Sequence, residues 1–140
     1  MSEQENVPEN ALFVCFGIMS SAGTLTGIAA LEAMKKLDPK KTGLFCTSAL
    51  AADVPKHRKT TQAAKRIIVV DGCANRCATR IVEKSGFKVD KSLNLVKDLA
   101  IEKRGPFRAF DYTPEELQKT VDAIVKICEE ERSESPADKT

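Results

Sequence analysis

The sequence predicts a single three-layer α/β domain, with a four-stranded, mainly parallel sheet covered by helices on both faces. Two observations carry that expectation. Short apolar runs alternate with longer amphipathic stretches along most of the chain, an order that implies parallel strands joined by helical crossovers. The helical stretches also carry stop and start residues where they are needed, from "DPKKTG" after the first to "YTPEEL" before the last.

Taken in order, "ALFVCFGI" (Ala11 to Ile18) reads as a buried strand, and "SSAG" as the turn after it. Leu25, Ile28, Leu31, Met34 and Leu37 then recur at helical spacing until "DPKKTG" ends the helix. "GLFCTSAL" reads as a second strand and "VPKHRKTTQAAK" as a short helix. "RIIVVDG" is the plainest strand of the chain. "CANRCATRIVEKSG" follows as a helix, with Gly86 placed to cap its C-terminus. "KSLNLVKDL" is assigned as a fourth strand. The last helix has the clearest start: Thr113 as N-cap, Pro114 at the first position and Glu116 three residues on, a capping box. Leu117, Val121, Ile124, Val125 and Cys128 form its apolar stripe.

Four strands in a chain of 140 residues suit a small Rossmann-like or flavodoxin-like layout with strand order 2-1-3-4. The polar, Pro-containing ends read as flexible tails over residues 1–10 and 131–140, leaving the domain as 11–130. Net charge is only +2 and the signs are mixed, with one Tyr and no Trp. That balance gives no electrostatic or stacking case for nucleic acid. No apolar run approaches the ~20 residues that span a bilayer. The acidic start "MSEQENVPEN" is not a signal peptide, so the expected location is the cytoplasm, where thiols stay reduced.

Five cysteines in such a setting call for a reason other than disulfides. On the predicted sheet, Cys15 and Cys46 fall towards the ends of strands one and two. Cys73 falls just past strand three, and Cys77 lies one turn into the next helix. In a parallel sheet these positions share the C-terminal edge, where open α/β sheets bind ligands. Four thiolates suit tetrahedral zinc, with sulfurs at about 2.3 Å. At i, i+4, Cys73 and Cys77 would share one helix face. The helix N-terminus would favour thiolate there, and Arg76 and Arg80 would add positive charge. Gly72 allows close backbone approach. Asp71 reads equally as the helix N-cap or as a group supporting a ligand. Cys128 completes the stripe of the last helix and needs no other role.

Three other features read more simply. His57, in "VPKHRKTT", reads as a solvated helix residue. "GIMSSAGT" is a small-residue turn that lacks the lysine and glycine spacing of a P-loop. "EKRGPFR" reads as a solvated basic loop.

"VVDGCANRCA" resembles the signature of the DGC-domain family, small prokaryotic proteins described as zinc-binding. The likeness extends to "CFGIMSSAGTLTGIAA", "GLFCTSAL" and "VKDLAIEK", and so from Ala11 to Ile127. After Cys46 the chain departs from the Gly-rich stretch of its relatives, carrying "TSALAAD" instead. The resemblance implies a metal site on Cys15, Cys46, Cys73 and Cys77, the set that the strand ends also select.

The leading expectation is a Zn2+-binding α/β protein engaged in metal handling or in regulating a partner protein. Two others use the same residues: redox or sulfur-transfer chemistry with Cys73 as the reactive thiol, and an iron–sulfur cluster on the four thiolates.

Overall fold

A computed structural model describes residues 6–130. The expected tail positions 1–5 and 131–140 lie outside the described residues. The four strands are β1 (Asn10–Val14), β2 (Thr42–Leu44), β3 (Arg66–Asp71) and β4 (Lys91–Asn94). They form one open, parallel sheet in the order β2-β1-β3-β4, as the sequence predicts. β1 and β3 pair over their length, from Asn10 opposite Arg66 to Val14 opposite Val70, and make the centre of the sheet. β3 is buried at all six positions, as expected of a strand covered on both faces.

Six helices connect and flank the strands: α1 (Ser21–Met34), α2 (Thr47–Ala51), α3 (Pro55–Ala63), α4 (Cys77–Lys84), α5 (Leu95–Leu99) and α6 (Pro114–Glu129). On one face Leu12, Ile68, Val70 and Leu93 pack against α1, α5 and α6. On the other, Ala11, Phe13, Ile67 and Val69 pack against Leu50 of α2 and Ala78 and Val82 of α4. Period-two alternation along β1 and β3 sends successive side chains to opposite cores. Phe13 meets Phe45 edge-on, ring centres 5.6 Å apart.

The capping box of α6 forms as expected. Thr113 Oγ1 accepts from the Glu116 amide, and the Glu116 carboxylate accepts from the Thr113 amide. Val121, Ile124 and Cys128 face the core. Gly86 sits at φ 92°, just past the end of α4. The Gly86 amide donates to Glu83 O and the Phe87 amide to Val82 O, which completes a Schellman cap.

Four boundaries and the buried face of one helix differ from the expectation. β1 ends at Val14, not Ile18, because Phe16 turns into the left-handed region at φ 41° and its amide donates to Thr26 Oγ1. In α1 the buried row is Ala22, Ala29, Ala30 and Ala33 with Leu25, while Leu31 is 52% exposed. Of the five expected positions, Leu25 and Leu37 are buried and Met34 packs against the core, while Leu31 lies off the core face. β2 stops at Leu44, and "TSALA" forms α2 rather than extending the strand, since Cys46 caps it and the Thr47 hydroxyl donates to Val14 O. α4 begins at Cys77, not Cys73. "KSLN" is β4, but "LVKDL" is α5, capped by Asn94, whose Oδ1 accepts from the Lys97 amide.

Candidate functional site

The C-terminal edge of the sheet is built by the exits of β1 and β3 and the first turn of α1. The Cys15 amide donates to Val70 O at 3.1 Å, which extends the β1–β3 ladder by one step and seats Cys15 beside the end of β3. Its Sγ lies 3.8 Å from Thr26 Oγ1. The Thr26 hydroxyl in turn donates to Gly23 O and accepts from the Phe16 amide. The backbone is tightly packed here. A Cβ on Gly72 would lie 2.8 Å from the Ala22 carbonyl carbon, and one on Gly23 would lie 1.9 Å from Gly17 O. Gly72 therefore serves close approach, as expected, and lets the exit of β3 lie against α1.

Asp71 is buried, and its role is now plain. One carboxylate oxygen accepts from the Ala78 amide at 2.8 Å, and the other accepts from the Thr79 amide and the Thr79 hydroxyl at 3.1 and 2.6 Å. From the end of β3 it caps the N-terminus of α4 across the intervening turn, though it is not the N-cap residue by position. That position belongs to Arg76, at φ 52°, whose side chain makes no capping bond. Four residues, Cys73 to Arg76, are thereby left as a turn closed by the Arg76 amide donating to Cys73 O. Asn94 Nδ2 donates to the same carbonyl at 2.9 Å.

This geometry corrects the expectation that Cys73 and Cys77 share a helix face. They stand at opposite ends of the turn, half-buried and exposed respectively. It also corrects the expected thiolate preference at Cys77. Its thiol is pushed above the ordinary value, first by partial burial and then by the charges of Cys15, Asp71 and Cys73, with Arg80 opposing them. Asp71 has already taken two of the first-turn amides that would have stabilised a thiolate. Of the two arginines expected to help, Arg80 does act on Cys77, while its Nε donates to Asn75 O.

Cys15 and Cys73 thus lie within electrostatic reach of Cys77. Cys46 is not among the groups acting on Cys77. It caps α2, its Sγ accepting from the Ala49 amide at 3.4 Å, and it is exposed. With Phe45 and the half-buried His57 of α3 it lines a groove of about 380 Å³. His57 is thus a half-buried residue of α3 that borders the same groove as Cys46. Among the described residues, no group of three or more His, Cys, Asp or Glu side chains is drawn together to hold a metal. Cys128 lies far from this edge in the fold, buried in the core, where desolvation pushes its thiol up to about 11.

Several residues that shape the site were not singled out in the sequence. Thr26 and Thr79 carried no signal beyond their helical positions. Asn94 did, because "NLVKD" places an amide cap before an acidic first turn. The loop "EKRGPFR" is pinned to the site rather than free in solvent: the Arg104 amide donates to Ser21 Oγ, and the Ser21 amide donates to Arg104 O. The Phe107 amide donates to Met19 O at 2.7 Å.

An open parallel sheet with thiols at its C-terminal edge defines a small cysteine-bearing α/β protein. The DGC domain model matches residues 11–124, and the chain belongs to that family. No curated protein and no solved structure matches it. Among the described residues no helix is long and apolar enough to cross a membrane.

Proposed function

We propose that this chain binds one zinc ion through Cys15, Cys73 and Cys77, with Cys46 as the fourth ligand, and acts in metal handling or in metal-dependent regulation of a partner protein. One observation carries the reading: the Cys15 amide donates to Val70 O, which seats Cys15 beside the strand that leads to Cys73 and Cys77, whose thiol is raised first by partial burial and then by Cys15, Asp71 and Cys73. A divalent cation there would favour the thiolate form that the fold otherwise disfavours at Cys77. Soft thiol donors suit zinc, and Asn94 and Thr26 hold the backbone that carries them. When bound, the metal would serve as a closed structural centre or as transferable cargo. Cys46, capping a two-turn-or-shorter helix at the exposed edge, is the ligand best placed to be exchanged with a partner.

A second reading is thiol redox or sulfur-transfer chemistry with Cys73 as the reactive group. It is favoured by the adjacency of the β1 and β3 exits, which sets Cys15 beside the strand that leads to Cys73. An iron–sulfur cluster would draw on the same donors.

Metal analysis of protein purified without added metal, with an absorption spectrum and a free-thiol count, separates these. About one zinc per chain in a colourless sample supports the proposal, with Cys73→Ala and Cys77→Ala lowering the content and Cys128→Ala leaving it unchanged. Brown, iron-containing protein supports the cluster. Metal-free protein with a readily alkylated Cys73 rejects zinc and favours thiol chemistry.

A further inference from the structure

The thiol edge of the sheet is flanked by apolar side chains that the fold leaves in solvent. Among the described residues nine large hydrophobic side chains are exposed, and five of them lie on two adjoining segments: Phe16, Ile18 and Met19 after β1, and Phe107 and Phe110 in the loop before α6. Ile18 and Met19 are 62% and 60% exposed, and Phe107 and Phe110 are 84% and 80% exposed. The two segments touch. The Phe107 amide donates to Met19 O at 2.7 Å, the Ser21 amide to Arg104 O at 2.8 Å, and the Arg104 amide to Ser21 Oγ at 2.7 Å. A Cβ on Gly105 would lie 3.0 Å from Ser20 Cα. The loop also closes on itself, since Arg104 Nη1 donates to Asp111 O at 2.8 Å.

The exposed rings are held out rather than left loose. Phe16 and Phe107 both occupy the left-handed backbone region, at φ 41° and 67°, which a bulky L residue enters only at a cost. In each case the amide is fixed, by Thr26 Oγ1 for Phe16 and by Met19 O for Phe107. Segments held in this way lose little further freedom on binding, so association pays less for ordering them. Together the five side chains present roughly 600 Å² of apolar surface, taking about 200 Å² for a whole aromatic side chain. Exposed patches of that size mark interaction sites on monomers.

We infer that this patch is the interface of a homodimer, in which two copies pack loop to loop across a two-fold axis. Area and charge both select a second copy. Two such patches face to face bury about 1,200 Å² before any polar rim is counted, which reaches the range of specific interfaces. The segment from Phe16 to Ser21 carries no charge. In the loop, Lys103, Arg104 and Arg108 stand against Glu102 and Asp111, and Arg104 also pairs with Glu116, so the signs balance. A copy meeting its own surface therefore meets no net repulsion. An anionic membrane or an acidic peptide would call for a basic excess that these segments do not carry. Cys15 directly precedes Phe16, so the contact lies beside the thiol edge, but it does not depend on what the thiols bind.

The test is sedimentation velocity on the full chain from about 1 to 200 µM, because a reversible dimer depends on protomer concentration. A reductant keeps the exposed cysteines from linking copies covalently. A monomer–dimer equilibrium with a dissociation constant of about 20 µM or tighter is expected. Phe107→Ser should weaken it at least about tenfold, and the Phe107→Ser, Phe110→Ser double variant should stay monomeric throughout. Leu31→Ser, which removes an exposed side chain from α1 away from the patch, should leave the equilibrium unchanged. Amide hydrogen exchange on the wild type should slow at residues 16–19 and 105–110 as concentration rises. A wild type that is monomeric across the range overturns the inference, as does a dimer that the double variant leaves intact or that Leu31→Ser breaks as readily. A monomer that co-sediments with anionic phospholipid vesicles assigns the patch to a membrane instead. If the double variant fails to fold, the wild-type series and its exchange pattern decide.

Discussion

Asp71 shows how much a single buried side chain can fix. Its two oxygens take three hydrogen bonds from α4, so the start of that helix is set from the end of β3 rather than by its own first residues. Asp71→Asn keeps the shape but turns an NH2 towards a donor. It is expected to cost about 2–3 kcal/mol in urea unfolding, because a charge-assisted bond is lost and a buried donor is left unmatched. A variant as stable as the wild type would mean that the turn holds without this cap. Cys128 makes a prediction at the same scale. Its ordinary value of 9.0 is raised to about 11 in the fold. Below pH 9 the thiol is neutral in both states and costs nothing. Between pH 9 and 11 the unfolded chain ionises it in preference to the fold, so stability falls, by roughly 3 kcal/mol at most. Comparing wild type with Cys128→Ala across that range isolates the effect, and parallel pH curves would contradict it.

At the scale of elements, α6 is tied to the functional edge through its own N-terminus. Glu116 serves the capping box and also accepts from Arg104, whose two terminal nitrogens lie 3.0 and 3.3 Å from its oxygens. Arg104 in turn holds Ser21 at the start of α1. Thr113→Ala is expected to cost about 1 kcal/mol, read as a drop in the urea midpoint. The hydrogen bond from Arg104 holds the Glu116 carboxyl below its ordinary value of 4.5. A carboxylate with a depressed folded pKa stabilises above the unfolded value and loses that contribution as pH falls through the folded one. The stability difference between wild type and Glu116→Gln should therefore be present at pH 6 and shrink as pH falls below the ordinary carboxyl range and through the lowered folded value. A difference independent of pH would show that the carboxylate charge is not what matters.

For the molecule as a whole, metal binding and folding should be coupled, since the thiols arrive from loops after three different strands. Chelator treatment of zinc-loaded protein is expected to lower Tm. Apparent zinc affinity should fall as pH falls, because raised thiols such as Cys77 must lose protons to ligate. Competition with a chromophoric chelator at pH 6 and pH 8 measures this directly. Equal affinity at both would count against thiolate ligation.

The strand order, the helix-covered parallel sheet and the capping box of α6 were all legible in the chain. The sheet and the cap rest on local patterns, namely apolar runs, alternation and the Thr113-Pro114-x-Glu116 spacing, while the strand order follows the layout common to small doubly wound folds. Boundaries at the C-terminal edge were not. Nothing near Cys73 announces that its helix waits until Cys77, because the deciding carboxylate acts from the preceding strand. Leu31 fits the helical spacing yet lies off the core face. By itself the sequence determined the four strands and the four longer helices, though not α2 and α5, and which edge receives Cys15 and Cys73, since a parallel sheet sends all its strand ends the same way. Only the tertiary structure decided which thiols act on Cys77, that His57 and Cys46 border one groove, and that Arg66 is buried with an unpartnered nitrogen. Those outcomes depend on hydrogen bonds and charges between residues far apart in the chain, where no periodicity can record them.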